Sequence, residues 1–217
     1  MSELYADGHR ALQDAFQMRR VADALESGVV RPVLKQMDQK FIASLDMFFL
    51  STIDRNGFPT VSYKGGDTGF VRVLDDRALA FPVFDGNGMY LSAGNLDANP
   101  KVGLLFIDFE RPRRLRVHGT AEVLRAHPMI DEVAGAELVV RVDVAHLFTN
   151  CPRYIHKIVE REVSPYVPKA GKEPPVPDWK RVDYLNPLLP EGMRERAAKE
   201  GPLLSETEYR KEFWRDL

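Results

Sequence analysis

The sequence predicts a mainly β, α+β fold: an antiparallel barrel, closed or nearly so, with peripheral helices and an extended C-terminal arm. Three observations predict it. Between Asp46 and Val163, short apolar runs alternate with turn-forming residues at regular spacing. Before Asp46, apolar residues recur at helical spacing instead. After Val163, Pro165, Pro168, Pro174, Pro175 and Pro177 leave no room for a continuing sheet. The expected divisions are a helical extension over residues 1–45, the barrel domain over 46–163, and a proline-rich arm with a final helix over 164–217.

In the first zone, Leu12, Ala15, Phe16, Ala22 and Leu25 are separated by charged residues, as on one side of a helix. Pro32 breaks the pattern. A short helix is expected from Asp38 as N-cap, with Phe41, Ile42 and Leu45 facing inward. Met47 to Ile53 reads as a buried strand, and Pro59 to Lys64 as its return. Asp54-Arg55-Asn56-Gly57 forms the hairpin turn between them, with Gly57 free to take positive φ. Phe70 to Leu74 and Ala78 to Val83 make a second pair around Asp75-Asp76-Arg77. A helix fits Met89 to Ala98. Lys101 to Asp108 and Leu115 to Leu124 are strands joined by a turn at Glu110-Arg111-Pro112, and Ala136 to Ala145 is the last strand. In the tail, Ser205 and Glu208 form a capping box, so a helix starts there, with Tyr209 and Phe213 on one face.

Composition narrows the function classes. With 30 basic and 32 acidic residues the net charge is -2, without the basic excess of a protein that grips a nucleic-acid backbone. A single cysteine, Cys151, excludes an intrachain disulfide and a cysteine-based zinc cluster, and fits a reducing cytosol. No apolar run is long enough for a bilayer span, and the charged N-terminus has no apolar signal region. A cytoplasmic protein without membrane or nucleic-acid partners is expected.

Four segments carry polar groups suited to a ligand. In Val61-Ser62-Tyr63-Lys64-Gly65-Gly66, a strand ends in a lysine and two glycines. Lysine offers phosphate a point charge and glycine lets a ligand approach the backbone, but a surface lysine before a flexible loop reads the same way. From Phe81 to Ser92, a strand enters a glycine-rich turn and then a helix. Such a start presents free N–H groups to an anion, with Asn87 and Ser92 adding hydrogen bonds, or it is an ordinary capped turn. It lacks the Gly-Lys-Ser/Thr ending of a Walker motif. In the third segment, alternation puts Arg114 and Arg116 on one strand face and Leu115 and Val117 on the other. The arginines suit an anion, the carbonyl edge of a flavin, or plain solvent. The fourth is Asn150-Cys151-Pro152-Arg153-Tyr154, where a lone cysteine reads as a small hydrophobe or as a thiol with a task. His118 and His156 read as structural, and neither a metal-ligand spacing nor a carboxylate pair stands out. No catalytic residue is assigned.

In this order the segments resemble the pyridoxamine 5'-phosphate oxidase-like FMN-binding proteins. The most specific part is Asn99-Pro100-Lys101-Val102-Gly103-Leu104-Leu105-Phe106 followed by Arg114-Leu115-Arg116-Val117-His118-Gly119. The segment from Asn150 to Tyr154 is similar to that of a subgroup of flavin-associated members. The resemblance implies a split-barrel homodimer with two FMN sites at the subunit interface and a small-molecule substrate. It places Lys64 at the flavin and the stretch from Asn87 to Asn95 at the phosphate; together with the residues read above, the expected cofactor contacts are Ser62, Tyr63, Lys64, Gly65, Asn87, Ser92, Asn95, Arg114, Arg116, Arg153 and Tyr154. The chain departs from the true oxidase at the helix start, where Tyr90-Leu91-Ser92 replaces Ser-Arg-Lys, and at Arg114, which replaces a glutamine. The oxidase's C-terminal substrate motif is not recognisable. The expectation is therefore an FMN-dependent oxidoreductase acting on another small molecule. The alternatives are a flavin carrier or sensor without turnover, or a deazaflavin- or haem-binding split barrel.

Overall fold

The computed structural model describes Ser2 and residues 4–213. The chain divides into two compact units, Met1–Arg161 and Glu162–Leu217.

The first unit holds one antiparallel sheet of seven strands, flanked by helices. The strands are β1 (Met47–Ile53), β2 (Pro59–Gly65), β3 (Arg72–Val73), β4 (Ala78–Phe84), β5 (Lys101–Asp108), β6 (Arg113–Leu124) and β7 (Ala136–Thr149). They lie in the order β2-β1-β5-β6-β7-β4-β3. This is the expected α+β fold of the split-barrel kind, but the sheet is open: β2 and β3 are its edges and no ladder joins them.

The β1–β2 hairpin follows from Asp54, whose Oδ1 accepts the N–H groups of Asn56 and Phe58, and from Gly57 at φ 86°. The expected strand from Phe70 shrinks to Arg72–Val73, because Phe70 and Val71 turn inward as core residues. The last strand runs on to Thr149. A bulge where His118 faces His146 and Gly119 faces Val144 leaves Ala145 unmatched and interrupts the alternation that would have shown its length.

One face of the sheet makes the core. Phe48 is fully buried at its centre, with ring centroids 4.9 Å from Phe81, 5.2 Å from Phe106 and 5.9 Å from Phe70.

The N-terminal helical zone is three helices: α1 (Asp7–Ala15), α2 (Arg19–Val29) and α3 (Gln36–Ala43). Gln17, left-handed at φ 56°, turns α1 into α2. Neither α1 nor α2 buries a residue, so Leu12, Phe16 and Leu25 stay exposed. Helix α3 starts two residues before Asp38, which is therefore not the N-cap. Its carboxylate reaches back to accept the Lys35 N–H at 2.8 Å and pairs with Arg31. Helix α4 (Leu91–Ala98) begins later than Met89, because Tyr90 caps it in the left-handed region at φ 46°. A short helix, α5 (Pro128–Glu132), precedes β7 and was not expected.

The second unit is more than an extended arm. It contains 3₁₀ turns at Asp178–Arg181 and Asn186–Leu188, then α6 (Glu191–Glu200) and α7 (Glu206–Phe213). The capping box at α7 forms as expected, with the Glu208 N–H donating to Ser205 Oγ and the Ser205 N–H to Glu208 Oε2. The Phe213 side chain lies outside the described residues. Among the described residues no helix is long and apolar enough to cross a membrane.

Candidate functional site

A cavity of about 420 Å³ opens between β2, β4 and the start of α4. Leu50, Phe81, Val83, Leu96 and Val140 give it an apolar wall. Three polar side chains converge at its edge. Ser62 and Ser92 share a hydrogen bond of 3.1 Å between their hydroxyls, and Lys64 Nζ donates to Ser92 Oγ at 3.3 Å. Asn87 lines the same cavity from the glycine-rich turn, its Oδ1 accepting the Met89 N–H. Burial pulls the Lys64 pKa below the ordinary lysine value. An anion beside the ammonium would offset that cost, so the cavity is chemically suited to one.

The pleat of β2 explains this grouping. Thr60, Ser62 and Lys64 share one side of the strand, so a single edge delivers a row of hydroxyl, hydroxyl and ammonium groups. Tyr63 lies on the other side, 61% exposed, with its ring edge-on to Phe49. Burial, and then the charge of Asp46, raise its pKa. A Cβ on Gly65 would lie 2.7 Å from the Tyr63 ring, so Gly65 makes room for that ring. Asn95 is buried beneath the cavity. Its amide donates to Thr52 Oγ1 at 3.0 Å and Thr60 Oγ1 at 3.3 Å, which ties α4 to the β1–β2 hairpin.

The sheet register separates the remaining residues from the cavity. Tyr63, Phe49, Leu105 and Arg116 form one row across β2, β1, β5 and β6, on the face away from the core. Ser62, Leu50, Leu104 and Val117 form the next row, on the core face. Arg114 alternates with buried Leu115 and shares the outward side of Arg116. A one-residue step changes the face, so one chain does not bring Arg114 or Arg116 to Lys64.

Arg114 instead borders a second cavity of about 260 Å³, with Met37 and Phe41 of α3 and with Asn150 and Pro152 beyond β7. Its Nη2 donates to the Cys151 carbonyl at 2.9 Å. Arg114 Nε and Asn150 Oδ1 are both shielded from solvent, with no hydrogen-bond partner among the described residues. A donor on β6 and an acceptor just past the end of β7, both left open, suit a ligand edge that carries both. Arg116 lies over the Phe148 ring at 5.5 Å. Arg153 lies over the Tyr154 ring at 5.1 Å, and both are exposed, as is Cys151.

The expected residues thus fall into two groups. Ser62, Lys64, Asn87 and Ser92 meet at the first cavity, with Asn95 supporting them from below. Arg114 lines the second with Asn150 and Pro152, whereas Arg116, Arg153, Tyr154, Tyr63 and Gly65 line neither cavity. The turn at Pro152 is expected to carry Asn150 towards a cofactor; that its side-chain carbonyl is left open depends on how β7 ends, which no motif reveals. The split of Tyr63 from its neighbours could have been read from alternation alone. Among the described residues, no group of three or more His, Cys, Asp or Glu is placed to hold a metal.

The family model of pyridoxamine 5'-phosphate oxidase matches residues 34–151. No curated protein matches the chain in sequence. Similar solved structures include HupZ of Group A Streptococcus, 20% identical, covering 54% of this chain and 93% of that one, with a TM-score of 0.44. An FMN-binding protein from Syntrophomonas wolfei is 12% identical, covering 65% and 96%, with a TM-score of 0.41. A FAD-binding protein from Mesorhizobium loti is 15% identical, covering 56% and 99%, with a TM-score of 0.37.

Proposed function

Since the chain belongs to the pyridoxamine 5'-phosphate oxidase family, we propose that it is an FMN-dependent oxidoreductase that acts as a cytoplasmic homodimer on a small molecule other than pyridoxamine phosphate. The observation that carries this reading is the convergence of Lys64 Nζ, Ser62 Oγ and Ser92 Oγ at the start of α4, beside an apolar wall. A phosphate has a cation, two hydroxyls and the positive end of a helix to meet there. A planar ring system has the wall formed by Leu50, Phe81 and Val140.

Bound FMN supplies the electron or hydride chemistry. The chain's part is to bind, orient and exclude water. Lys64 neutralises phosphate charge. Arg114 Nε and Asn150 Oδ1 offer a donor and an acceptor for a ring edge that presents both C=O and N–H. Because the pleat keeps these two groups on opposite faces of one sheet, a shared site needs two copies, each giving one group. The replacement of Ser-Arg-Lys by Tyr90-Leu91-Ser92 leaves Lys64 as the cation among the residues lining the cavity, which separates this chain from the true oxidase.

The purified protein is expected to bind FMN, followed by quenching of the flavin fluorescence, and to oxidise a reduced nicotinamide with an electron acceptor present. Failure to quench would overturn the cofactor assignment, a haem spectrum would replace it, and binding without turnover would leave a carrier. Light scattering is expected to give a dimer, with an interface above about 1,000 Å². A monomer at micromolar concentration would count against the shared site.

Cys151 is exposed, and it is its backbone carbonyl, not its thiol, that Arg114 contacts. Cys151→Ser is therefore expected to keep flavin and most activity, whereas Arg153→Ala loses more of both. Flavin content and turnover of the two variants decide this. A Cys151→Ser protein that holds flavin but is inactive would return the thiol to the mechanism.

A further inference from the structure

The outward face of the sheet carries a feature that the cofactor reading does not use. His118 Nδ1 and His146 Nε2 stand 2.9 Å apart, joined by a hydrogen bond, with the rings edge-on at 4.8 Å. They end a row that crosses five strands: Val61, Ser51, Gly103, His118 and His146. The middle of this row is shallow. A Cβ on Gly103 would only reach ordinary contact with His118 and Ser51, both at 3.8 Å, so among the described residues there is room beside it for a side chain. The adjacent row contributes Phe49, Leu105 and, across β6 and β7, Arg116 and Phe148. Both histidine rings lie against Phe148, at 5.8 and 6.3 Å. Val61 and Tyr63 extend the same face at the sheet edge, 69% and 61% exposed. This apolar, half-buried surface with a polar pair set into it is suited to a second copy, and it is the face that bears Arg114 and Arg116.

We propose that the His118–His146 pair makes dimerisation through this face conditional on pH: the neutral pair permits a second copy to pack, and protonation of both rings expels it. The proposal rests on the homodimer reading above. A shared hydrogen bond between two imidazoles needs at least one ring nitrogen without a proton. When both rings are cationic the bond is lost and two like charges stand within contact distance, under whatever the partner lays over them.

Among the described residues, the strand rows beside the pair offer no carboxylate free of a partner. From β6 the charged neighbour is Arg116, a third positive group. From β5 the row presents Gly103, with Lys101 farther along, and from β1 it presents Ser51. Farther along β6 and β7, the carboxylates of Glu122 and Asp143 both pair with Arg141. Burial, then His146 and Arg116, hold the His118 pKa below the ordinary histidine value. That shift belongs to one copy alone; a second copy laid over the ring would bury it further and lower it again, so packing is favoured above the single-copy value and that contribution is lost as pH falls from there through the packed-state value. The dimer is therefore tight at neutral and alkaline pH and weakens on the acid side of the ordinary histidine range.

The test is sedimentation equilibrium of the full chain at about pH 8 and about pH 5.5, with circular dichroism recorded at both. The dissociation constant is expected to rise at least about tenfold at the lower pH while the fold is kept, since each copy takes up protons on release. The double variant His118→Gln/His146→Gln, which keeps neutral hydrogen-bonding groups at both positions, is expected to stay dimeric at both. A wild type equally dimeric at both pH values, or a double variant that dissociates in acid as the wild type does, overturns the switch and leaves the dimer standing. A monomer at about pH 8 overturns the dimer reading and the switch with it.

Discussion

FMN affinity is expected to fall by about ten- to a hundredfold when Lys64 is replaced by alanine, the loss of one charge-assisted hydrogen bond worth ~1.5–3 kcal/mol. Lys64 is the cation among the residues lining the cavity, so no neighbouring side chain there takes its place. Its present partner, Ser92 Oγ at 3.3 Å, is neutral, and burial disfavours the ammonium. A bound phosphate would reverse that, favouring the charged form. The pH dependence follows with a definite sign. In the free protein the ammonium is lost at a lower pH than in a solvated lysine, so binding above that point must take up a proton. Affinity is then expected to decline as pH rises through the Lys64 pKa, and Lys64→Ala is expected to lose that decline along with the affinity. Fluorescence quenching across the alkaline range measures both. Unchanged affinity in the variant would show that the phosphate sits elsewhere.

The same cavity shows what sequence reading can and cannot reach. Strand β2 was legible because Asp54 and Gly57 mark its turn, and because Thr60, Ser62 and Lys64 alternate with Val61 and Tyr63. That Ser92 lies within hydrogen-bonding reach of Lys64 was not legible. Twenty-seven residues separate the two in the chain, and only the packing of α4 on the hairpin through Asn95, Thr52 and Thr60 closes that gap. Asn95 carries a family expectation of cofactor contact; its amide nitrogen donates to two threonines, which no local pattern shows. Helix α6 went unseen for another reason. It buries only Ala197 and has no apolar stripe, so periodicity had nothing to report. The outward position of Arg114 and Arg116 was readable by alternation, but the separation of their face from Lys64 needed the strand order, which a sequence does not print.

The largest stability effect is expected at Phe48. It is fully buried, and its ring meets those of Phe70, Phe81 and Phe106 at centroid distances of 5.9, 4.9 and 5.2 Å. Phe48→Ala removes the ring that joins β1 to β4 and β5 and leaves a cavity lined by apolar groups, where water gains no hydrogen bonds. The cost is expected to be ~3–5 kcal/mol, or a drop in Tm on the order of 10 °C for a unit of this size. Phe48→Leu refills part of the space and should lose less. Phe48 also stands directly opposite Lys64 in the β1–β2 ladder. Inward relaxation of β1 into the void therefore displaces the ammonium from Ser92, and FMN affinity should fall in the alanine variant even where the protein stays folded. Urea unfolding with an unchanged slope, alongside FMN titration well below the midpoint, separates the two effects. A Phe48→Ala protein with the wild-type midpoint would mean that the four rings do not form the core that positions the site.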